Sequence, residues 1–251
     1  MSVKYSVGII GGNGQMGKTL KNFLCKNNVK VYVSDIGTKY SNSDIVKMSD
    51  IVVLSVPLNE YENVLSETEP VMKGRDILLM DIGSLKVKQM LIMKKYFKGE
   101  ILGTHPLFGP DRNFSEGCVT VVCKTDSCSD KTQFIIDLFN ANKIKTLEMS
   151  SNEHDELMSY IHSFYYFVNT AYLKLLSKKF GSIEETEEFA TTSFKNFKNN
   201  LNNIFNTPSW LIEQIIFENP FIGERLNDFK QILECKNFLS EVEEFVRNNR
   251  N

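Results

Sequence analysis

The 251-residue chain has no apolar run approaching the roughly 18 residues that a membrane span requires, so no transmembrane segment is expected. It also lacks an excess of either charge. Its 29 basic and 31 acidic residues give a formal net charge of −2, which supplies no general field for nucleic acid or an anionic membrane surface. Internal repeats and low-complexity tracts are missing, and the few residues before the first apolar run leave no room for a signal peptide. Cysteine is sparse and odd in number: Cys25, Cys118, Cys123, Cys128 and Cys235. Three of them are evenly spaced, but Cys118 and Cys123 flank a Val-rich run with no His nearby, so buried thiols are expected there and no metal site. These absences point to a cytoplasmic chain. What remains, 42% hydrophobic and 24% charged residues, is ordinary for a globular protein of one large or two average domains.

The most informative feature that is present is Gly11-Gly12-Asn13-Gly14-Gln15-Met16-Gly17, placed between an apolar run (Tyr5 to Ile10) and a helical pattern. Strand, glycine turn and helix in that order make G-x-G-x-x-G a dinucleotide signature. Gly12 is expected to make the tight turn, Gly14 to let the backbone approach a pyrophosphate, and Gly17 to bring helix close to strand. The helix N-terminus, opened by Gln15 and Met16, would offer N–H groups and a positive dipole end to the phosphates. Asp35, at the end of the next apolar run (Val29 to Val33), suits the ribose hydroxyls of NAD and would repel the 2′-phosphate of NADP.

Up to about residue 150, strands are predicted at 5–10, 29–34, 51–56, 77–82, 100–104, 118–123 and 144–148. Helices are predicted near 15–27, 59–72, 85–96 and 129–142. Strand–helix alternation implies an α/β domain (1–150) with a doubly wound parallel sheet, and runs such as Ile51-Val52-Val53-Leu54 suit strands covered on both faces. Ligand then belongs beyond the strand C-termini, where the glycine turn, Pro57, Ser84 and His105 fall. From 151 to 251 the pattern is helical only. A capping box, Ser150-Ser151-Asn152-Glu153, opens a long helix ending at Gly181. That helix carries Leu157, Ile161, Phe164, Val168, Ala171 and Leu175 at helical spacing, with Tyr160, Tyr165, Phe167 and Tyr172 beside them. An apolar surface that broad is expected to be covered by helices of its own and of a partner chain, which makes a homodimer through this domain. Further helices are predicted at about 184–205, from Thr207-Pro208, and from Asn219-Pro220 to about 248.

His105 is one of three histidines and the one at a strand C-terminus, in Gly103-Thr104-His105-Pro106-Leu107-Phe108-Gly109-Pro110. Imidazole changes charge near neutral pH and is the natural acceptor for an alcohol proton; the prolines and glycine after it would fix the ring. Ser84 follows the fourth strand, where it is a further polar candidate, or the cap of the helix after it. Lys86 is expected to be a structural or solvent-facing charge.

Taken in order, Gly12 to Gly17, Ser55-Val56-Pro57, Asp81-Ile82-Gly83-Ser84-Leu85-Lys86, His105 to Pro110 and His154-Asp155-Glu156-Leu157-Met158 resemble the prephenate dehydrogenase family, which includes arogenate dehydrogenases. The resemblance covers nearly the whole chain. It implies a Rossmann-type nucleotide domain with Ser55 and Pro57 at the cofactor, an all-helical dimerisation domain, and NAD-dependent oxidative decarboxylation of prephenate to 4-hydroxyphenylpyruvate for tyrosine synthesis. It gives His105 the role of polarising the ring hydroxyl with help from Ser84.

There are departures. Tyr166 stands where many relatives carry His; it donates a hydrogen bond but is no cation at neutral pH. His162, one turn earlier, is a further candidate to face the substrate; His154 is another, or it organises the entry of the helix at whose start it sits. A substrate with two carboxylates calls for an arginine clamp, and of five arginines (Arg75, Arg112, Arg225, Arg247, Arg250) the candidates are Arg225 in the helical domain and Arg112 in the loop after His105. Thr191-Thr192 replaces a frequent Ser-Pro. Arogenate or a 4-amino analogue therefore stays open as substrate, as do an inactive NAD-binding sensor or partner subunit and another small-molecule reductase of this architecture.

Overall fold

Each predicted strand is present: β1 (Ser6–Ile10), β2 (Lys30–Ser34), β3 (Ile51–Leu54), β4 (Leu78–Asp81), β5 (Glu100–Pro106), β6 (Val119–Lys124) and β7 (Lys145–Glu148). They form one sheet in the order β2-β1-β3-β4-β5-β6-β7. The computed structural model describes residues 4–125 and 129–249, so Cys128 and Arg250 lie outside the described residues.

Continuous apolar runs make these strands because helices cover both faces. Val7, Ile9, Ile51, Val53, Leu78, Met80 and Leu102 pack with Leu20, Phe23 and Leu24 of α1 (Gln15–Lys26) and with Ile135 and Phe139 of α5 (Asp130–Ala141). On the opposite face Val52, Leu54, Leu79 and Ile101 pack with α2 (Asn42–Met48), α3 (Tyr61–Met72) and α4 (Val87–Tyr96). α2 is not predicted above. It is a two-turn helix set by a capping box, in which Ser41 accepts from Asp44 N and the Asp44 side chain accepts from Ser41 N.

One expectation needs correcting: the sheet is not wholly parallel. β6 pairs antiparallel with β5, and β7 runs parallel to β6. The connection 107–118 contains no helix, and a helix-free return is what an antiparallel neighbour permits. β5 also runs two residues further than predicted, so His105 lies inside the strand, opposite Val121.

The chain divides into two compact units, Met1–Asp155 and Glu156–Asn251. The second is helical. α6 (Ser151–Met158) passes through a π-helical segment, Ser159–Ser163, into α7 (Phe164–Leu176). Where one helix was predicted at 184–205, a 3-10 turn (Glu184–Phe189) precedes α8 (Thr192–Asn200), capped by the Thr191 hydroxyl, and α9 (Asn202–Asn206). α10 (Ser209–Phe217), α11 (Ile222–Glu234) and α12 (Phe238–Asn248) follow. Thr207 ends α9, and Pro208 itself takes the cap position of α10. Leu201, Ile204, Ile215, Ile216 and Ile222 form the buried interior, and the Ser163 hydroxyl donates to Ile215 O at 2.6 Å. The chain by itself leaves much apolar surface outside: Tyr160, Ile161, Tyr165, Val168, Tyr172 and Leu175 are all exposed. Among the described residues no helix is long and apolar enough to cross a membrane.

Candidate active site

The C-terminal ends of β1 to β5 face one edge of the sheet, and every sequence-predicted site residue of the first unit except Arg112 and His154 sits at or just past one of them. The order in which strands are added reverses between β1 and β3, since β2 and β3 flank β1 on opposite sides, and this is where an open α/β sheet has its crevice. The glycine turn fills it. Gly11, rather than Gly12, makes the left-handed step, with φ +80°. Gly12 is needed for space instead: a Cβ there would come within 2.6 Å of Val33 Cγ1. At Gly17 a Cβ would lie 2.5 Å from Gly11 O and 2.8 Å from Gly12 Cα, both immovable backbone, so the predicted close helix–strand packing is present. Gly14 occupies the cap position of α1, which among the described residues has no side-chain cap and no acid in its first turn. Its N–H groups and dipole are thus left for an anion.

Gln15 is exposed at the start of α1, whereas Met16 is half-buried against the core. Asp35, just past β2, accepts from Asn13 N and Ile36 N, both at 2.8 Å, which ties it to the glycine turn. Ser55 N donates to Ile10 O at 2.8 Å, and Pro57, extended, leads into a short 3-10 turn. The loop after His105 reaches the same motif: Thr19 of α1 donates to Pro110 O at 3.3 Å.

His105 is buried, with 5% exposure, and its Nδ1 lies 2.9 Å from Nε2 of His154. Nδ1 of His154 lies 2.6 Å from Asp155 Oδ1. His154 and Asp155 are fully buried. His154 therefore does not present its ring to a substrate, as the sequence suggested; both of its nitrogens face protein partners. The Asp155 oxygens also accept from Lys86 N and Val87 N, each at 2.8 Å. Asp155 thus caps α4, the place for which Ser84 was a candidate, and Ser84 stands half-buried between β4 and that helix.

Beneath this lies a second buried polar group. Lys86 Nζ donates to Asp81 Oδ1 and Oδ2 at 2.6 and 2.5 Å and to Thr104 O at 2.8 Å, with both side chains of the ion pair at 0% exposure. Lys86 is structural and not solvent-facing. Tyr61 OH and Gly83 N complete the donors to Asp81 Oδ2, at 3.0 and 2.9 Å. Burial holds the Tyr61 phenol well above its ordinary range, with the Asp81 charge adding to it. Burial likewise pushes the Cys123 thiol up to about 12. Cys118 is buried as expected, while Cys25 is exposed.

Arg112 is exposed on the 107–118 loop. In the second unit, His162 lies in the π-helical segment with its ring 5.3 Å from that of Tyr166, whose hydroxyl is 3.4 Å from Thr207 Oγ1. Arg225 is buried on α11, its guanidinium 4.2 Å above the Tyr160 ring. Nη2 pairs with Glu224 at 2.6 Å and Nε approaches Asp228 at 3.4 Å, while Nη1 has no hydrogen bond among the described residues.

Residues 17–138 match the family model "Prephenate dehydrogenase, nucleotide-binding domain", and residues 150–250 match "Prephenate dehydrogenase, dimerization domain". The chain belongs to the prephenate dehydrogenase family. A protein of Methanocaldococcus jannaschii described as "Probable arogenate/prephenate dehydrogenase" is 25% identical, over 97% of this chain and 57% of its own length. The T-protein of Enterobacter agglomerans is 28% identical over 65% of this chain and 43% of its own length. The chain thus spans about half the length of the curated relatives it matches. The fold is shared with prephenate dehydrogenase from A. aeolicus in complex with hydroxyphenyl propionate and NAD+ (TM-score 0.79, 18% identity, 99% of this chain and 96% of that one). It is shared also with Synechocystis arogenate dehydrogenase (TM-score 0.70, 14% identity, 96% and 94%).

Three polar residues that the sequence did not single out belong to this family member's buried framework: Asp155, Asp81 and Tyr61. Two of them stand inside the quoted motifs, Asp81 five residues before Lys86 and Asp155 beside His154, so an acid close to each motif's basic residue was the available signal.

Proposed function

We propose that this chain oxidises prephenate with decarboxylation to 4-hydroxyphenylpyruvate, using NAD, in tyrosine biosynthesis. The observation that carries this reading is His105, held by a buried partner at the same sheet edge as an uncapped helix N-terminus. The first turn of α1 fits a pyrophosphate, with Gly12, Gly14, Gln15, Met16 and Gly17 forming the turn, and Ser55 and Pro57 bordering it. Asp35, already an acceptor for two amides, suits ribose hydroxyls and disfavours a 2′-phosphate. When bound, NAD supplies the hydride acceptor.

The chain's own groups then manage a proton and an orientation. His105 accepts the ring hydroxyl's hydrogen bond and takes charge from that oxygen as the carbinol carbon loses hydride. The carbon–carboxylate bond breaks, CO2 leaves, and the electron pair enters the ring, making it aromatic. The proton returns from His105 to the phenol oxygen, so none is gained or lost overall. Ser84 bonds the same hydroxyl or His105 and keeps the geometry. Arg225 receives a substrate carboxylate: its guanidinium is buried and Nη1 has bonding capacity to spare. Tyr166 and His162 supply hydrogen bonds nearby in the same unit. Arg112 is exposed on its loop, where it offers a second, solvent-side contact for a carboxylate.

The apolar surface left outside on α7 supports a homodimer formed through the helical unit. A second substrate reading, arogenate, is favoured by the names of relatives, which cover both compounds. Initial rates at the NADH absorbance band, with prephenate and arogenate each tried with NAD and NADP, test the proposal. Prephenate with NAD is expected to be fastest, and His105→Asn to lose nearly all activity. Turnover of arogenate alone moves the assignment to the second reading, and turnover of neither overturns it.

A further inference from the structure

We infer that His154 and Asp155 are a positioning pair that fixes the tautomer of His105, leaving its Nε2 as the unprotonated nitrogen. The inference rests on the dehydrogenase reading for its purpose, but its physical content comes from bonds within the first unit.

The pair is oriented from one end. Asp155 is pinned by two backbone N–H groups at the start of α4, Lys86 N and Val87 N. Both of its oxygens accept from these N–H groups, so the carboxyl acts as an acceptor. Its 2.6 Å contact with His154 Nδ1 therefore places a proton on that nitrogen. Neutral His154 is left with a lone pair on Nε2. The 2.9 Å contact between His154 Nε2 and His105 Nδ1 needs one proton, and His105 Nδ1 must bring it. The lone pair of His105 is thereby assigned to Nε2, the nitrogen an alcohol needs as acceptor. The ring centroids lie 5.1 Å apart, so the rings meet through these two nitrogens, with their planes turned 78° to one another.

The arrangement also answers the charge that develops. As His105 takes a proton, its Nδ1–H bond strengthens onto His154, whose own Nδ1–H is held by the Asp155 carboxylate. Neither His154 nor Asp155 touches the reacting atoms; both act through His105. Without them His105 is free to place its proton on Nε2, where it would donate to the hydroxyl rather than accept.

The test is direct, because the chain has only three histidines. Protein labelled with 15N in its histidine rings gives six ring nitrogens, assigned with the single variants His105→Asn, His154→Gln and His162→Gln. At neutral pH we expect His105 and His154 both to carry the proton on Nδ1. In His154→Phe the His105 signals should move towards a mixture of tautomers, and kcat should fall by on the order of 10²–10⁴-fold while KM changes little. His154→Gln, whose amide oxygen still accepts from His105 Nδ1–H, should keep most of the rate. NAD affinity should be the same in all of them. A wild-type His105 protonated on Nε2 overturns the inference whether or not the variants fold. Turnover of prephenate with that tautomer refutes the pair and leaves the proposed function standing. Correct tautomers without turnover of either substrate refute the function and support the pair.

Discussion

Lys86→Met is expected to be among the most destabilising single changes in the first unit. It leaves Asp81 fully buried with its cation removed, facing, among the described residues, Tyr61 OH, Gly83 N and Thr104 N. Those three neutral donors soften the loss, but breaking a buried ion pair from one side costs about 3–5 kcal/mol. At roughly 2–4 °C per kcal/mol for a domain of this size, the transition should fall by about 6–20 °C. Far-UV circular dichroism is the suitable probe, since the single tryptophan, Trp210, lies in α10 of the other unit and its fluorescence reports there. The double variant Lys86→Met with Asp81→Asn removes both charges while an amide oxygen still accepts from those donors, and it should recover part of the loss. A loss under about 1 kcal/mol in Lys86→Met, or a double variant worse than the single one, would refute the reasoning.

Other consequences are as concrete. Gly17→Ala should weaken NAD binding at least about tenfold by calorimetry, since the new methyl would press on the Gly11–Gly12 backbone that shapes the turn. With a thiol reagent at about pH 8, native protein should be modified at Cys25 and protected at Cys118 and Cys123 until denatured, as read by mass spectrometry of peptides. The buried neutral thiol of Cys123 contributes stability below the ordinary thiol pKa of 9.0, and this is lost as pH rises towards about 12; Cys123→Ala should therefore flatten the alkaline decline in urea midpoint. Leu175→Glu, on the exposed face of α7, should shift a dimer towards monomer in light scattering.

The strands were legible because Ile51 to Leu54 and Leu78 to Met80 are buried on both faces, which leaves an unbroken apolar run in the chain. α2 escaped notice because its buried residues, Ile45 and Val46, are adjacent and give no helical period, although the Ser41–Asp44 box was there to be read. A strand pattern has no direction, so nothing within Val119 to Lys124 announced that β6 runs backwards; only the missing helix before it did. Among site residues, the glycine turn, Asp35 and His105 follow from position along strands. The contact between His105 and His154 spans 49 residues and exists only once β5 and α6 are folded, so it left no local mark. Lys86 misled for a different reason: lysine is rarely buried, so the nearby Asp81 was not read as its partner, and its other acceptor, Thr104 O, comes beside it only when β5 lies next to β4.

One carboxylate, Asp155, both begins α4 and steers a histidine. Drift at this position cannot trade one duty against the other: glutamate, longer by a methylene, would hold the helix amides or the imidazole but not both at 2.6–2.8 Å. Laboratory evolution towards greater heat resistance should therefore leave residue 155 untouched and find its gains elsewhere. A screen that scores folding alone would rank the position beside one that scores turnover, a coincidence that marks where architecture and chemistry share an atom.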